Sequence, residues 1–199
     1  MNLVVKSRSE LSGKTLFSER ITNLFICFLV YSFTGWLAET IYMSLYHGHI
    51  VKRGFLIGPL CAVYGVGSIS VVYILNRIKS HPFLLFICAS LMTSVVELFA
   101  GILLSQLIQK RLWDYSGNFG SIMGYICLRN TIMWGITSLF LIYIIHPKLL
   151  KFISSIPVST REKIFYSAFV FLFLDVSISV YSSLQGVNNL VWISQVFFR

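Results

Sequence analysis

Five apolar runs, each long enough to cross a lipid bilayer as a helix, leave this chain few folds to choose from. They cover Ile21 to Tyr46, Phe55 to Leu75, Pro82 to Ile108, Ile122 to Ile145 and Ile164 to Leu184. A helix rises 1.5 Å per residue, so about 20 residues span a hydrocarbon core of about 30 Å. Lipid offers the backbone no hydrogen bonds, so such runs must satisfy their own amides, as helices do. The expected fold is all-α: a polytopic transmembrane bundle of about five spanning helices. Composition agrees, since only 12% of the 199 residues are charged and mean hydropathy is +0.79, against about 25% charged in soluble domains. A soluble nucleotide-hydrolysing domain is excluded, and the chain contains no G-x-x-x-x-G-K-[ST] phosphate loop. Any ATP-driven role therefore needs a second polypeptide.

The runs divide the chain into an N-terminal arm (1–20), a helix bundle (21–184) and a C-terminal amphipathic tail (185–199). The first run is too long for a signal-peptide core and reads as an uncleaved span. Pro82 suits the first turn of the third helix, His146-Pro147 is expected to close the fourth, and Ser159-Thr160-Arg161-Glu162 has capping-box spacing for the fifth. The tail places Val187, Leu190, Val191, Ser194, Phe197 and Phe198 near one face and reads as an interfacial helix. The net charge of +9 fits basic loops against anionic lipid better than nucleic acid. Ten Lys and Arg fall on the N-terminal side of the membrane and five on the other. This favours a cytoplasmic N-terminus in a plasma membrane. The four cysteines, Cys27, Cys61, Cys88 and Cys127, form no C-x-x-C and read as packing residues, with Cys61 and Cys127 near one membrane face.

Function is sought in the charges that the runs enclose. Glu39, Glu97 and Asp175 lie inside apolar stretches, and Arg129 joins them in the fourth. Each costs about 2.5 to 3.5 kcal/mol near the bilayer centre, so all four are expected to face the interior as a polar network or substrate path. Glu39 and Arg129 each lie about 10 Å below the outer surface, which makes an ion pair between them possible. Glu97 continues a stripe of Ser90, Thr93, Ser94, Gly101 and Ser105, and Asp175 shares a face with Ser179 and Ser182. Small hydroxylated stripes let helices approach closely or line a wet cavity.

Two external loops add motifs. The first runs Arg53-Gly54-Phe55-Leu56-Ile57-Gly58-Pro59 towards Tyr64-Gly65. Its Gly58-Pro59 predicts a broken or late-starting helix with a non-helical entry. The second contains Trp113-Asp114-Tyr115-Ser116, whose Asp114 is a candidate partner for Arg53. With Tyr31-Ser32-Phe33, Gly35-Trp36, Glu39, Gly124 and Ile126-Cys127-Leu128, these motifs make the chain resemble the bacterial Putative ABC-transporter type IV family over roughly residues 31–147. The sequence departs from that pattern at Ala62 and between Gly117 and Met123. Arg129 and Asp175 lie outside the motif. The resemblance implies a permease-like role without naming a substrate.

Glu39 precedes Arg53 by fourteen residues and Glu97 precedes Arg111 by fourteen. This spacing suggests that helices one and two are repeated, in parallel, by helices three and four. The leading expectation is a membrane component of a transport system, partnered by lipid and by a separate ATP-binding subunit or another membrane protein. Two alternatives stay open: a scaffold or accessory subunit whose acids organise packing, and an intramembrane enzyme using Glu39, Glu97 or Asp114 as acid or base. No recognised catalytic constellation accompanies those acids, and no cofactor is called for. His47-x-His49 alone is a weak metal ligand set.

Overall fold

The protein is described by a computed structural model covering residues 2–109 and 111–184, with side chains from Ser18 onward except that of Ile108. The proposed interfacial tail, 185–199, lies outside the described residues. The described residues form α1 (Asn2–His47), α2 (Ala62–Leu75) ending in a 3₁₀ turn (Asn76–Ile78), α3 (Pro82–Ile108), α4 (Leu128–Phe140), a π turn (Leu141–Ile145), α5 (His146–Ser155) and α6 (Val158–Leu184). No strand occurs among them beyond an isolated bridge between Ile122 and Ile126. The protein is a helical membrane bundle. Four stretches are long and apolar enough to cross a membrane: Ser18–His47, Pro82–Leu107, Leu128–Ser155 and Val158–Leu184.

The second run behaves differently from the others. Helix begins only at Ala62, so the apolar helix Ala62–Ile78 measures roughly 25 Å and is short of a full crossing. The chain from Val51 to Cys61 enters without helical structure, as Gly58-Pro59 predicts. Its amides find partners elsewhere: Cys61 N–H donates to Ser32 C=O at 3.1 Å, and the Trp36 indole donates to Arg53 C=O at 3.0 Å. A non-helical segment at membrane depth survives only with such internal partners.

Two predicted boundaries are corrected. The helix of the fourth run starts at Leu128, not near Ile122, and runs through His146-Pro147 to Ser155. Pro147 cannot donate to the preceding turn. The π turn before it widens the ladder, and the His146 amide reaches back to Leu141 C=O, accommodating the proline without ending the helix. The expected loop from His146 to Lys163 is therefore only Ile156-Pro157. α6 begins at Val158, and Pro157 C=O accepts from Thr160 and Arg161. Ser159 thus lies within the first turn rather than capping it. Pro82 does occupy the first turn of α3.

α1 packs chiefly on α2, α3 on α4, and α2 joins the two pairs, while α6 lies against α1 and α3. The apolar core gathers Cys27, Tyr31, Val71, Leu85, Ala89 and Ile153. Small polar residues are buried with it, among them Ser32, Ser90, Thr93, Ser94 and Ser138. Large apolar side chains such as Leu91, Phe99, Leu103 and Phe171 face outward. That distribution suits a solvent of lipid, where packing rather than water exclusion joins helices. All four cysteines are free thiols.

Candidate functional site

The site lies where the two helix pairs meet, beside the two long loops. Glu39 projects from α1 and forms an ion pair with Arg53 at 2.6 Å. Arg53 Nε also donates to Glu39 Oε1 at 2.8 Å, and the Tyr64 hydroxyl of α2 donates to Oε2 at 3.0 Å. Three elements thus converge on one carboxylate. Arg53 can reach it because the entry to α2 is extended, and Trp36 fixes that entry through the Arg53 carbonyl.

Glu97 projects from α3 and is only 6% exposed. The Trp134 indole of α4 donates to its Oε2 at 2.9 Å, and the Tyr115 hydroxyl donates to Oε1 at 3.4 Å. Among the described residues its partners are neutral. Tyr64 and Trp134 connect the two acids, their ring centroids 5.2 Å apart. The result is a continuous chain of contacts, Glu39–Tyr64–Trp134–Glu97, across the junction of the helix pairs.

The other predicted residues fall outside this chain. Asp175, on α6, accepts from the consecutive amides of Ile57 at 2.9 Å and Gly58 at 3.0 Å, and Ser179 donates to the same carboxylate at 3.2 Å. It therefore anchors the non-helical entry to α2. A Cβ on Gly58 would approach Asp175 Oδ2 to 2.7 Å, so a larger residue there would displace that carboxylate. Lys52 stands in the same loop, where burial pushes its ammonium below the ordinary value against the field of Asp175.

Arg129 is exposed and donates to the Tyr42 hydroxyl at 3.3 Å. The expected Glu39–Arg129 pair is not formed, because Arg53 reaches Glu39 first from the adjoining loop. Nor does Arg53 pair with Asp114. Asp114 lies 3.6 Å from Arg111 and accepts from the Ser116 hydroxyl at 2.5 Å and amide at 2.9 Å. These Ser116 bonds hold its carboxyl below the ordinary range. Gly124 (φ +75°) closes this clip, since a Cβ there would enter the space of Arg111, Asp114 and Ser116. Trp113 supports it by donating to Tyr125 C=O at 2.9 Å.

Sequence reasoning missed Trp134. Its signal is the residue that follows it: α4 carries Trp134-Gly135 as α2 carries Tyr64-Gly65, and in both cases the aromatic residue donates to the acid of the neighbouring helix.

A bundle of apolar helices with polar groups gathered inside and two long loops at one end defines a polytopic helical membrane protein. Residues 26–180 match the family described as Putative ABC-transporter type IV. The chain belongs to that family. No curated protein and no solved structure matches it.

Proposed function

We propose that the chain is the permease-like membrane component of a transport system, in which the Glu39–Tyr64–Trp134–Glu97 network lines or gates the path. One observation carries this reading: Glu97 is buried in the bundle and, among the described residues, has only neutral donors at its carboxylate. A purely structural role is poorly served by an uncompensated acid, because its desolvation outweighs what two hydrogen bonds return. A path for a polar solute requires such groups. Relative motion of the two helix pairs would alter the Tyr64–Trp134 contact and both carboxylate environments together. Asp175 and Arg53 hold the entry to α2 in place, while the Arg111–Asp114 clip shapes the loop at the same end; Arg129 stands in the first turn of α4, next to that loop.

In this reading the chain works in the plasma membrane of a bacterium with its N-terminus cytoplasmic, as the ten-to-five distribution of basic residues favours. Energy comes from a separate ATP-binding subunit. In a reconstituted vesicle assay with that subunit, Glu39→Gln or Glu97→Gln should abolish substrate flux while the folded protein survives purification. Normal flux in both variants would sink the proposal. The Glu39–Arg53 pair, already compensated, favours a second reading as a packing scaffold: there Glu39→Gln lowers stability in detergent and weakens partner binding, with no flux to lose.

A further inference from the structure

The two helix pairs correspond at a set of matched positions. Phe28, Ser32, Glu39 and Arg53 recur 58 positions later as Phe86, Ser90, Glu97 and Arg111, and Tyr64-Gly65 recurs 70 positions later as Trp134-Gly135. The contacts recur with them. A Cβ on Gly65 would collide with Ser32 and Phe28, and a Cβ on Gly135 would collide with Ser90 and Phe86. Both serines are buried, and neither hydroxyl has a hydrogen-bond partner among the described residues. Each aromatic residue ahead of the glycine donates to the corresponding acid. The members of each pair run in the same order and sense, so the relation is a parallel repeat, whose axis in transporters lies along the membrane normal. Tyr64 and Trp134 meet at its centre.

The repeat breaks at the cation. Twelve more residues separate Arg111 from Trp134 than Arg53 from Tyr64, lengthening the loop ahead of α4 that carries Trp113-Asp114-Tyr115. That loop draws Arg111 aside: its guanidinium lies 3.6 Å from Asp114 and 5.0 Å from the centre of the Tyr125 ring. Glu97 receives the Tyr115 hydroxyl instead, at a distance near the limit of a hydrogen bond.

We propose that Glu97 is a binding site for a small solute cation carrying a guanidinium or ammonium group, which takes at Glu97 the place that Arg53 takes at Glu39. The Glu39 half shows that this backbone arrangement seats a planar cation against the carboxylate at 2.6 Å. At Glu97 the cation displaces the long Tyr115 contact and keeps that of Trp134. The assignment names a substrate class for the proposed path and rests on that reading for its physiological role, but binding is measurable without transport.

The test uses full-length protein in nanodiscs, titrated with guanidinium chloride at millimolar concentrations and constant ionic strength set by sodium chloride. Intrinsic tryptophan fluorescence is read, with Trp134→Phe assigning the signal. A saturable change is expected in the wild type and should be lost in Glu97→Gln. Arg53→Ala should add a second saturable phase, because it opens the twin site beside Trp36. This arm leaves Glu97 intact and so guards against a Glu97 variant that fails to fold. Absence of a wild-type response beyond the sodium control, an undiminished response in Glu97→Gln, or a single phase in Arg53→Ala would overturn the proposal. So would a response that arises only in Arg111→Gln, which would make Arg111 the natural occupant. Binding without flux retains this site and defeats the transport reading; flux without binding does the reverse.

Discussion

A carboxylate placed in a bilayer persists only through its partners, and the partners of these acids lie in parts of the chain that no spacing rule connects. Glu39 is held by Arg53 and Tyr64, Glu97 by Trp134 and Tyr115, and Asp175 by two backbone amides of the loop. Removing one member therefore exposes what the others cost. Arg53→Gln leaves Glu39 with Tyr64 alone; the pair is about a quarter exposed, so a loss of roughly 1–2 kcal/mol is expected after allowance for solvent screening. A double-mutant cycle with Glu39→Gln checks it, since the pair's share should vanish once both charges are gone. Gly58→Ala should cost about 1–3 kcal/mol by pushing the Asp175 carboxylate off the Ile57 and Gly58 amides. A lower midpoint of thermal unfolding in detergent is the expected readout, and an unchanged midpoint would refute the anchoring role.

At the scale of elements, helices were legible wherever apolar length was sufficient, and their ends were legible only where local chemistry decided them. Pro82 starts α3 because a proline at that position loses no amide that the helix needs. Pro147 looked equally decisive as a terminator. Its missing donor is instead absorbed by a π turn, which depends on the surrounding packing. Pro147→Ala should therefore leave the bundle folded and relax the π turn towards α-helix; hydrogen exchange at residues 141–146 is expected to slow, and faster exchange would contradict the account. Close pairing of α3 with α4 depends on Gly135. Gly135→Ala should cost about 1–3 kcal/mol by forcing the helices apart. Ser90→Ala alone should be nearly neutral, since its hydroxyl has no partner among the described residues, and should partly rescue Gly135→Ala by removing the group that the new methyl meets. Absence of rescue, measured by thermal unfolding, would remove the close contact as the cause.

For the whole molecule, the two long loops emerge at one end of the bundle, and the Asn76–Ile78 turn and the Ile156-Pro157 link lie at the other. Tyr143 donates to the Lys79 carbonyl there, tying the π turn to that end. Arg77, Lys79, Lys148, Lys151 and Lys163 cluster by sequence around the same end, which is the side expected to face anionic lipid. The amphipathic character of 185–199 is a property of the sequence alone. What the sequence determined by itself was the class of fold, because backbone amides in lipid admit helices over any apolar run of sufficient length. It also determined the residues that had to be expensive, since an acid inside such a run is costly wherever it points. Which group compensates each acid was decided only by tertiary structure. Glu39 meets Arg53 rather than Arg129 because α2 starts late, while Arg111 turns away from Glu97 because the longer loop ahead of α4 folds into a clip around it. Pairing in a bilayer is set by which side chain arrives within about 3 Å, and that distance belongs to the packing of helices and loops in space.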